Sequence, residues 1–187
     1  MISSAVNAIV EELNDFIKIK FQLDEDRVLL SNLINLDGSV AVKEMNRVIV
    51  SVVNIHHEKV GVPTKSLGLR SGDKPPIYLN IFILFSANFD EKLKKEALRF
   101  VSAVVSFFQS KNVFTPSNTP SLDNSIERLI MDIYNLEFQD QSSIYQILGS
   151  KYLPGIMYKM RMVAIDEGLM DYSPGEIMER GTDSSLD

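Results

Sequence analysis

The chain contains no cysteine, no tryptophan and only two histidines. Without cysteine there can be no disulfide, no thiolate metal site and no thiol nucleophile. That absence also accords with folding in a reducing cytoplasm. The histidines, His56 and His57, are adjacent and precede Glu58. On a strand His56 and Glu58 share a face while His57 points away, so at most two ligands converge where zinc needs three or four. No serine occupies a G-x-S-x-G elbow; in Gly68-Leu69-Arg70-Ser71-Gly72 it stands one place late. Gly61-Val62-Pro63-Thr64-Lys65-Ser66 lacks the glycine before lysine that a phosphate loop requires, and Leu67-Gly68 breaks the helix that should follow. Carboxylate pairs such as Asp24/Asp26 and Asp132/Glu137 lie in polar turns or at strand ends, where solvation explains them. These absences point away from an enzyme and from any cofactor or metal.

Long hydrophobic runs are missing too. No apolar stretch approaches the roughly 18 residues of a membrane-spanning helix, so no membrane partner is expected. At the N-terminus Asn7, Glu11 and Glu12 interrupt the apolar residues, and no basic segment precedes them, which argues against a secretion signal. The expectation is a protein folded in the cytoplasm.

What is present is an ordinary globular composition, 45% hydrophobic and 24% charged over 187 residues. The charge is unevenly placed. Residues 166–187 hold seven acidic side chains against Arg180 alone, so the formal net charge of −6 resides entirely in these 22 residues. The remaining 165 are neutral, with 18 acidic and 18 basic groups. A neutral body lacks the clustered cations that neutralise phosphates, so nucleic acid is not an expected partner.

Periodicity predicts the elements. Ile2, Val6, Ile9, Leu13, Phe16 and Ile17 recur at helical spacing, giving a helix over 2–20. Strands are predicted over 28–35, ending at an Asp37-Gly38 turn, and over 47–55 and 77–86. The last two are apolar on both faces, as in strands covered on each side. Asn88 stands three residues before Glu91, a capping arrangement, and a helix follows to about Lys111. Its inner stripe is Leu93, Ala97, Phe100, Val101, Val104, Val105 and Phe108. A turn-rich loop occupies 115–125. Residues 126–136 satisfy helical and strand periods alike. A short amphipathic helix, a Lys-Tyr-Leu-Pro-Gly corner and a last strand complete the order. In that strand Ile156, Tyr158, Met160, Met162 and Ala164 lie on one face; Met157, Lys159, Arg161, Val163 and Ile165 lie on the other. The fold class is mixed α/β (α+β): a single two-layer domain, 1–165, with a mixed sheet packed by helices, followed by an acidic tail or arm, 166–187.

Two segments exceed what one folded copy needs. The connection 58–76 is too long for a hairpin and carries Lys59, Lys65, Arg70 and Lys74 against Glu58 and Asp73. The tail keeps Leu169, Met170, Tyr172, Ile177 and Met178 as potential anchors. Both read either as arms ordered against neighbouring subunits or as a plain surface loop and terminus. Met157, Met160, Met162, Met170 and Met178 suit a plastic interface or ordinary core filling.

The segment LEFQDQSSIYQILGSKYLPGIMYKMRM, from Leu136, resembles the signature of cap, or tail-terminator, proteins of extracellular contractile injection systems of the antifeeding-prophage and virulence-cassette type. VLLSNLINLDGSVAVKEMNRVIVSVVNI at 28–55 and PPIYLNIFILFSANF at 75–89 are similar to the same family, so the resemblance runs over most of 1–165. Where that family often has tryptophan in the helix, this chain has Tyr145. The resemblance implies a tail-terminator fold and a strand over 126–136. It implies a structural cap that closes the distal end of tube and sheath in a phage-tail-like particle released from the cell. The implied partners are further copies of itself in a homo-hexamer and the tube and sheath proteins. Candidate interface residues are Lys59, Lys65, Arg70 and Lys74 of the loop, Lys159 and Arg161 of the last strand, and Tyr172, Ile177 and Met178 of the tail. The tail would reach the sheath or an adjacent cap subunit. An adaptor ring beneath the cap, a phage tail terminator and a cytosolic cargo-loading chaperone remain as alternatives.

Overall fold

The computed structural model describes residues 1–58 and 77–164. Its centre is a six-stranded mixed sheet in the order β1-β2-β3-β6-β5-β4. The strands are β1 (Val28–Leu30), β2 (Arg47–His57), β3 (Ile77–Asn88), β4 (Val113–Phe114), β5 (Ile126–Ile133) and β6 (Gly155–Ala164). Only β1 and β2 run parallel; every other pair is antiparallel. The apolar runs of β2 and β3 sit beside each other over ten paired positions, and β6 pairs with β3 along its whole length.

Two helices cover one face. Helix α1 (Ile2–Phe21) buries Val6, Ile9, Leu13 and Ile17 of the predicted stripe, with Ile2 and Phe16 partly buried, and adds Ala5. Helix α2 (Lys94–Ser110) buries Ala97, Phe100, Val104 and Phe108, and adds Ala103 and Phe107. Leu93 stays partly exposed, in the 3-10 turn Glu91–Leu93 ahead of α2. Under the helices lie Val48 and Val50 of β2, Ile81, Ile83 and Phe85 of β3, Leu129 and Met131 of β5, and Tyr158, Met160 and Met162 of β6. The mixed α/β class is the one that the sequence predicts, but the expected two layers are not the whole of it.

The opposite face carries a partial third layer, made of helix α3 (Phe138–Ile147) and the segment 31–46. Leu33 and Tyr145 are buried there against Ile49, Leu84 and Met157, with Ile34, Val42, Ile144, Leu148 and Leu153 around them. Tyr145 donates its hydroxyl hydrogen to the Leu153 carbonyl at 2.6 Å, and burial raises its phenol above the usual range. The bond anchors the corner that leads into β6.

Two expected boundaries differ. The strand over 28–35 stops at Leu30 because Ser31, after one last bond to the Val50 carbonyl, turns away from β2. Leu33 and Ile34 then fold over the second face, and the Asp37-Gly38 turn closes that excursion with Gly38 at φ 81°. The predicted cap at Asn88 is instead paired with Arg47 as the end of β3. Asp90 takes the capping role, accepting from the Lys92 amide at 2.9 Å.

One buried polar side chain ties α1 to the sheet. Asn14 accepts from the Arg27 and Val28 amides at 2.9 and 2.8 Å and donates to the Val28 carbonyl at 2.9 Å. Alanine there strands buried backbone groups, each costing about 1–3 kcal/mol when unpaired. Because Arg27 lies near the surface, Asn14→Ala is expected to lower stability by about 2 kcal/mol in denaturant titration, with an unchanged m-value.

Candidate assembly interface

Among the described residues, the second sheet face is covered at one end only. Beneath α3 it is buried. Toward the ends of β2 and β6 it is lined by Asn54 and His56 of β2, which are exposed, and by Asn80 and Phe82 of β3, Lys159 and Arg161 of β6, and Ile130 and Asp132 of β5, which are half-buried. The registers place these residues side by side: Asn54, Phe82, Lys159 and Asp132 form one row. His56, Asn80, Arg161 and Ile130 form the next. Edge-to-face rings continue across it, His56 against Phe82 at 5.2 Å and Phe82 against Tyr134 at 5.0 Å.

Lys159 and Arg161 therefore share the face that β6 alternation assigns them. Arg161 bridges Asp132 at 2.9 Å with its side chain 41% exposed, a setting in which an ion pair adds about 0–1 kcal/mol. Lys159, beside Asp132 in the register, is half-buried. Lys59, Lys65, Arg70 and Lys74, and likewise Tyr172, Ile177 and Met178, lie outside the described residues.

His56 is exposed. Its Nε2 lies 2.9 Å from Asn54 Nδ2. Among the described residues no group of three histidine, aspartate or glutamate side chains converges as a metal site would require.

The exposed edge of β2 beyond β1 is disrupted. The register shifts between Val52 and Asn54, and Asn54 Oδ1 accepts from the Ile55 amide at 2.8 Å. A bulge and a side chain occupying a backbone donor both discourage strand addition. The short β4 pairs with β5 on the other flank, where the Met131 amide also bonds the Asn112 carbonyl. The faces are thus better placed than the edges to meet other molecules.

A second surface went unnoticed in the sequence. The outside of the α3 layer exposes Phe138 at 90%, Ile147 at 77% and Tyr152 at 64%, with Leu36 fully open on the 31–46 segment. Phe138 and Tyr152 flank a depression of about 360 Å³ lined also by Gln141, Ser142, Gln146 and Ser150. The helix carries one charge, Asp140. A weakly charged helix with apolar side chains turned both inward and outward is the signal that was available: one set packs on the sheet and the other is left over.

Comparison with known proteins places this arrangement. The family described as Pvc16 N-terminal domain matches residues 6–174. The chain belongs to that family. Solved structures share the fold. The sheath/tube terminator of an extracellular contractile injection system, in its extended state, superposes with a TM-score of 0.59 at 12% identity, covering 100% of this chain and 63% of that one. The tube-terminating cap of the anti-feeding prophage gives 0.57 at 12% identity, covering 97% and 60%. At that identity the likeness is one of fold. The chain spans about three-fifths of the length of each. None of the curated proteins matches the chain.

Proposed function

We propose that this Pvc16 N-terminal domain is a structural cap that closes the distal end of the tube and sheath of a contractile injection particle, acting as a hexameric ring. The observation that carries the reading is the fold shared along the whole chain with a sheath/tube terminator and a tube-terminating cap. A tube or sheath grows because each layer presents a free interface to the next. A terminator matches that interface on one side and offers nothing compatible on the other.

The α3 layer supplies the matching surface. Phe138, Ile147, Tyr152 and Leu36 form weakly charged apolar ground of the kind that the centre of a protein interface buries. The loop 58–76, through Lys59, Lys65, Arg70 and Lys74, contacts an acidic neighbour in the ring or in the layer below. Residues 1–165 act as the folded body and 166–187 as an arm anchored by Tyr172, Ile177 and Met178. The chain folds in the bacterial cytoplasm and joins the particle there.

Deleting the gene and imaging the particles tests the proposal. Tubes and sheaths of abnormal length or lost closure are expected; particles of normal length and closure would end it. A finer test separates assembly from folding. Phe138 makes almost no use of the fold, so Phe138→Asp is expected to change stability by less than about 0.5 kcal/mol. Incorporation into purified particles should nevertheless fall at least about ten-fold, as the loss of an anchor worth 1.4 kcal/mol or more would produce.

A further inference from the structure

The turn at Asp37-Gly38 holds an apolar side chain out of the fold. Leu36 is fully exposed and Val40 half so, yet the turn that carries them is tightly made. The Asn35 amide donates to the Ser39 carbonyl at 2.8 Å, and the Gly38 amide to the Asn35 carbonyl at 3.0 Å. Asn35 Nδ2 donates to the Ser39 hydroxyl at 3.0 Å, and Ile34 bridges Val40. A rigid turn that presents leucine to water has already given up the conformational freedom that binding would cost it. Next to Leu36 stands Asp37, the only charged residue from Ser31 to Val42. The Ser39 hydroxyl and amide both donate to its Oδ1, at 2.6 and 2.9 Å, which holds the carboxyl below the usual carboxylate range. Its second oxygen takes neither bond. The turn is thus a fixed projection bearing one leucine and one anion.

The counterpart of such a projection lies on the other side of the sheet. Between α1 and α2, Phe21, Leu98 and Ala103 line a depression of about 410 Å³ together with Lys20, Lys95 and Arg99. Two of these cations are held near rings, Lys20 at 5.2 Å from the centre of Phe16 and Arg99 at 5.5 Å from that of Phe21. Glu96 engages Arg99 at 2.8 Å, but no lining residue is acidic, so positive charge is in excess. The start of α2 alters nothing, since Lys92 and Lys94 are matched by Asp90 and Glu91. Other depressions suit Asp37 less well. The one between α2 and β5 includes Asp132, and the one flanked by Phe138 and Tyr152 has no charged lining residue.

We propose that Leu36 and Asp37 of one copy of this chain dock into the α1–α2 depression of the next copy, leucine on the apolar floor and carboxylate among Lys20, Lys95 and Arg99. This deepens the cap reading and rests on its ring, to which it assigns a contact between neighbours. The two surfaces lie on opposite faces of the sheet. A two-fold pair cannot engage both at once, because its single shared patch would have to contain projection and depression together. Each contact leaves a projection unused at one end and a depression unused at the other. Copies therefore join head to tail, and repetition closes into a ring where the rotation allows it.

The absence of native cysteine gives a clean test. Leu36→Cys chains are mixed with an equal amount of mass-tagged Leu98→Cys chains and oxidised, and the linked dimers are sorted by mass. The mixed pair should exceed both like pairs. It should also exceed, at least about five-fold, the pair of Leu98→Cys with the exposed control Ile147→Cys, since a disulfide needs Cβ atoms roughly 3.5–4.5 Å apart. Adding Asp37→Lys to the first chain should lower the yield at least about five-fold, and Lys95→Asp in the second should recover part of it. Circular dichroism should not change, because all of these side chains are exposed. Leu36→Cys and Leu98→Cys combined in one chain and built into purified particles should give a ladder of linked copies. That ladder upholds the contact even where the free chain is monomeric. Mixed pairs no more abundant than the control both in solution and in particles, or a yield indifferent to Asp37→Lys, would overturn the proposal. Links in solution with particles that never contain the protein would uphold the contact and end the cap reading. Particles closed normally by copies that do not link would do the reverse.

Discussion

Gly155→Ala is expected to lower stability by about 3 kcal/mol, at the upper end of what overpacking costs. In a thermal melt that is a fall of roughly 6–12 °C for a domain of this size. Gly155 opens β6 opposite Ser86, directly after the Pro154 carbonyl accepts from the Ala87 amide at 2.8 Å. A Cβ at Gly155 would lie 2.5 Å from the Phe85 carbonyl oxygen and 3.3 Å from the Ser86 Cα. Both neighbours are backbone of a central strand, so no side-chain rotation relieves the clash. The Leu-Pro-Gly corner therefore needs its glycine for space, not for a left-handed backbone. Serine should be as damaging as alanine, because the fault lies in the first carbon. A melt within 2 °C of the parent, a shift below about 1 kcal/mol, would show that β6 enters the sheet differently.

Phe108→Ala should have the largest effect of all, about 3–5 kcal/mol. Phe108 is 3% exposed and links four aromatic rings. Its centroid lies 4.5 Å from Tyr158, 5.0 Å from Phe107, 5.3 Å from Phe85 and 6.3 Å from Phe114. The ring is where α2 meets β3 and β6, so truncation empties the junction of helix and sheet. Phe85 and Tyr158, whose phenol burial pushes up to about 12, are held by the sheet and cannot collapse far into the space. Phe108→Leu retains most of the volume and should recover at least half of the loss. Equal losses from both substitutions, measured by denaturant titration, would mean that the aromatic contacts rather than the volume matter.

The strands that pack most of the core were readable because their patterns leave little choice. Val48 to Ile55 and Ile77 to Phe85 are nearly apolar on both faces, and each face is buried along part of its length, by α1 and α2 on one side and by α3 with Leu33 on the other. Alternation in β6 placed Met157, Lys159 and Arg161 together correctly. At 126–136 local pattern could not decide. Ile126, Leu129, Ile130 and Ile133 suit a helix, but burial selects Ile126, Leu129 and Met131 of a strand. Only the family resemblance favoured the strand. The β4 pair Val113–Phe114 is too short for any periodicity to register. The expected strand over 28–35 failed for another reason: Leu33 and Ile34 are apolar because they cover the second face, which one segment's sequence cannot distinguish from lying within the sheet.

The candidate surfaces divide in the same way. Lys159 and Arg161 could be assigned a face by parity alone. Phe138 and Ile147 could not be singled out, because exposure at a helix end depends on where the helix sits over the sheet, and that is set by the Tyr145 to Leu153 bond and the Gly155 corner.

The strand order has a bearing on biosynthesis. β6 is the last strand described, yet it lies between β3 and β5 and is their only link within the sheet. While the chain is still emerging from the ribosome, β1–β3 and β4–β5 are two ribbons with no common edge. Long-range pairing of this kind is slow to form, and here it waits on translation through Ala164. Fragments released before Ala164 would lack a continuous sheet, so the six strands can close into one sheet only once nearly all of the described chain has been made.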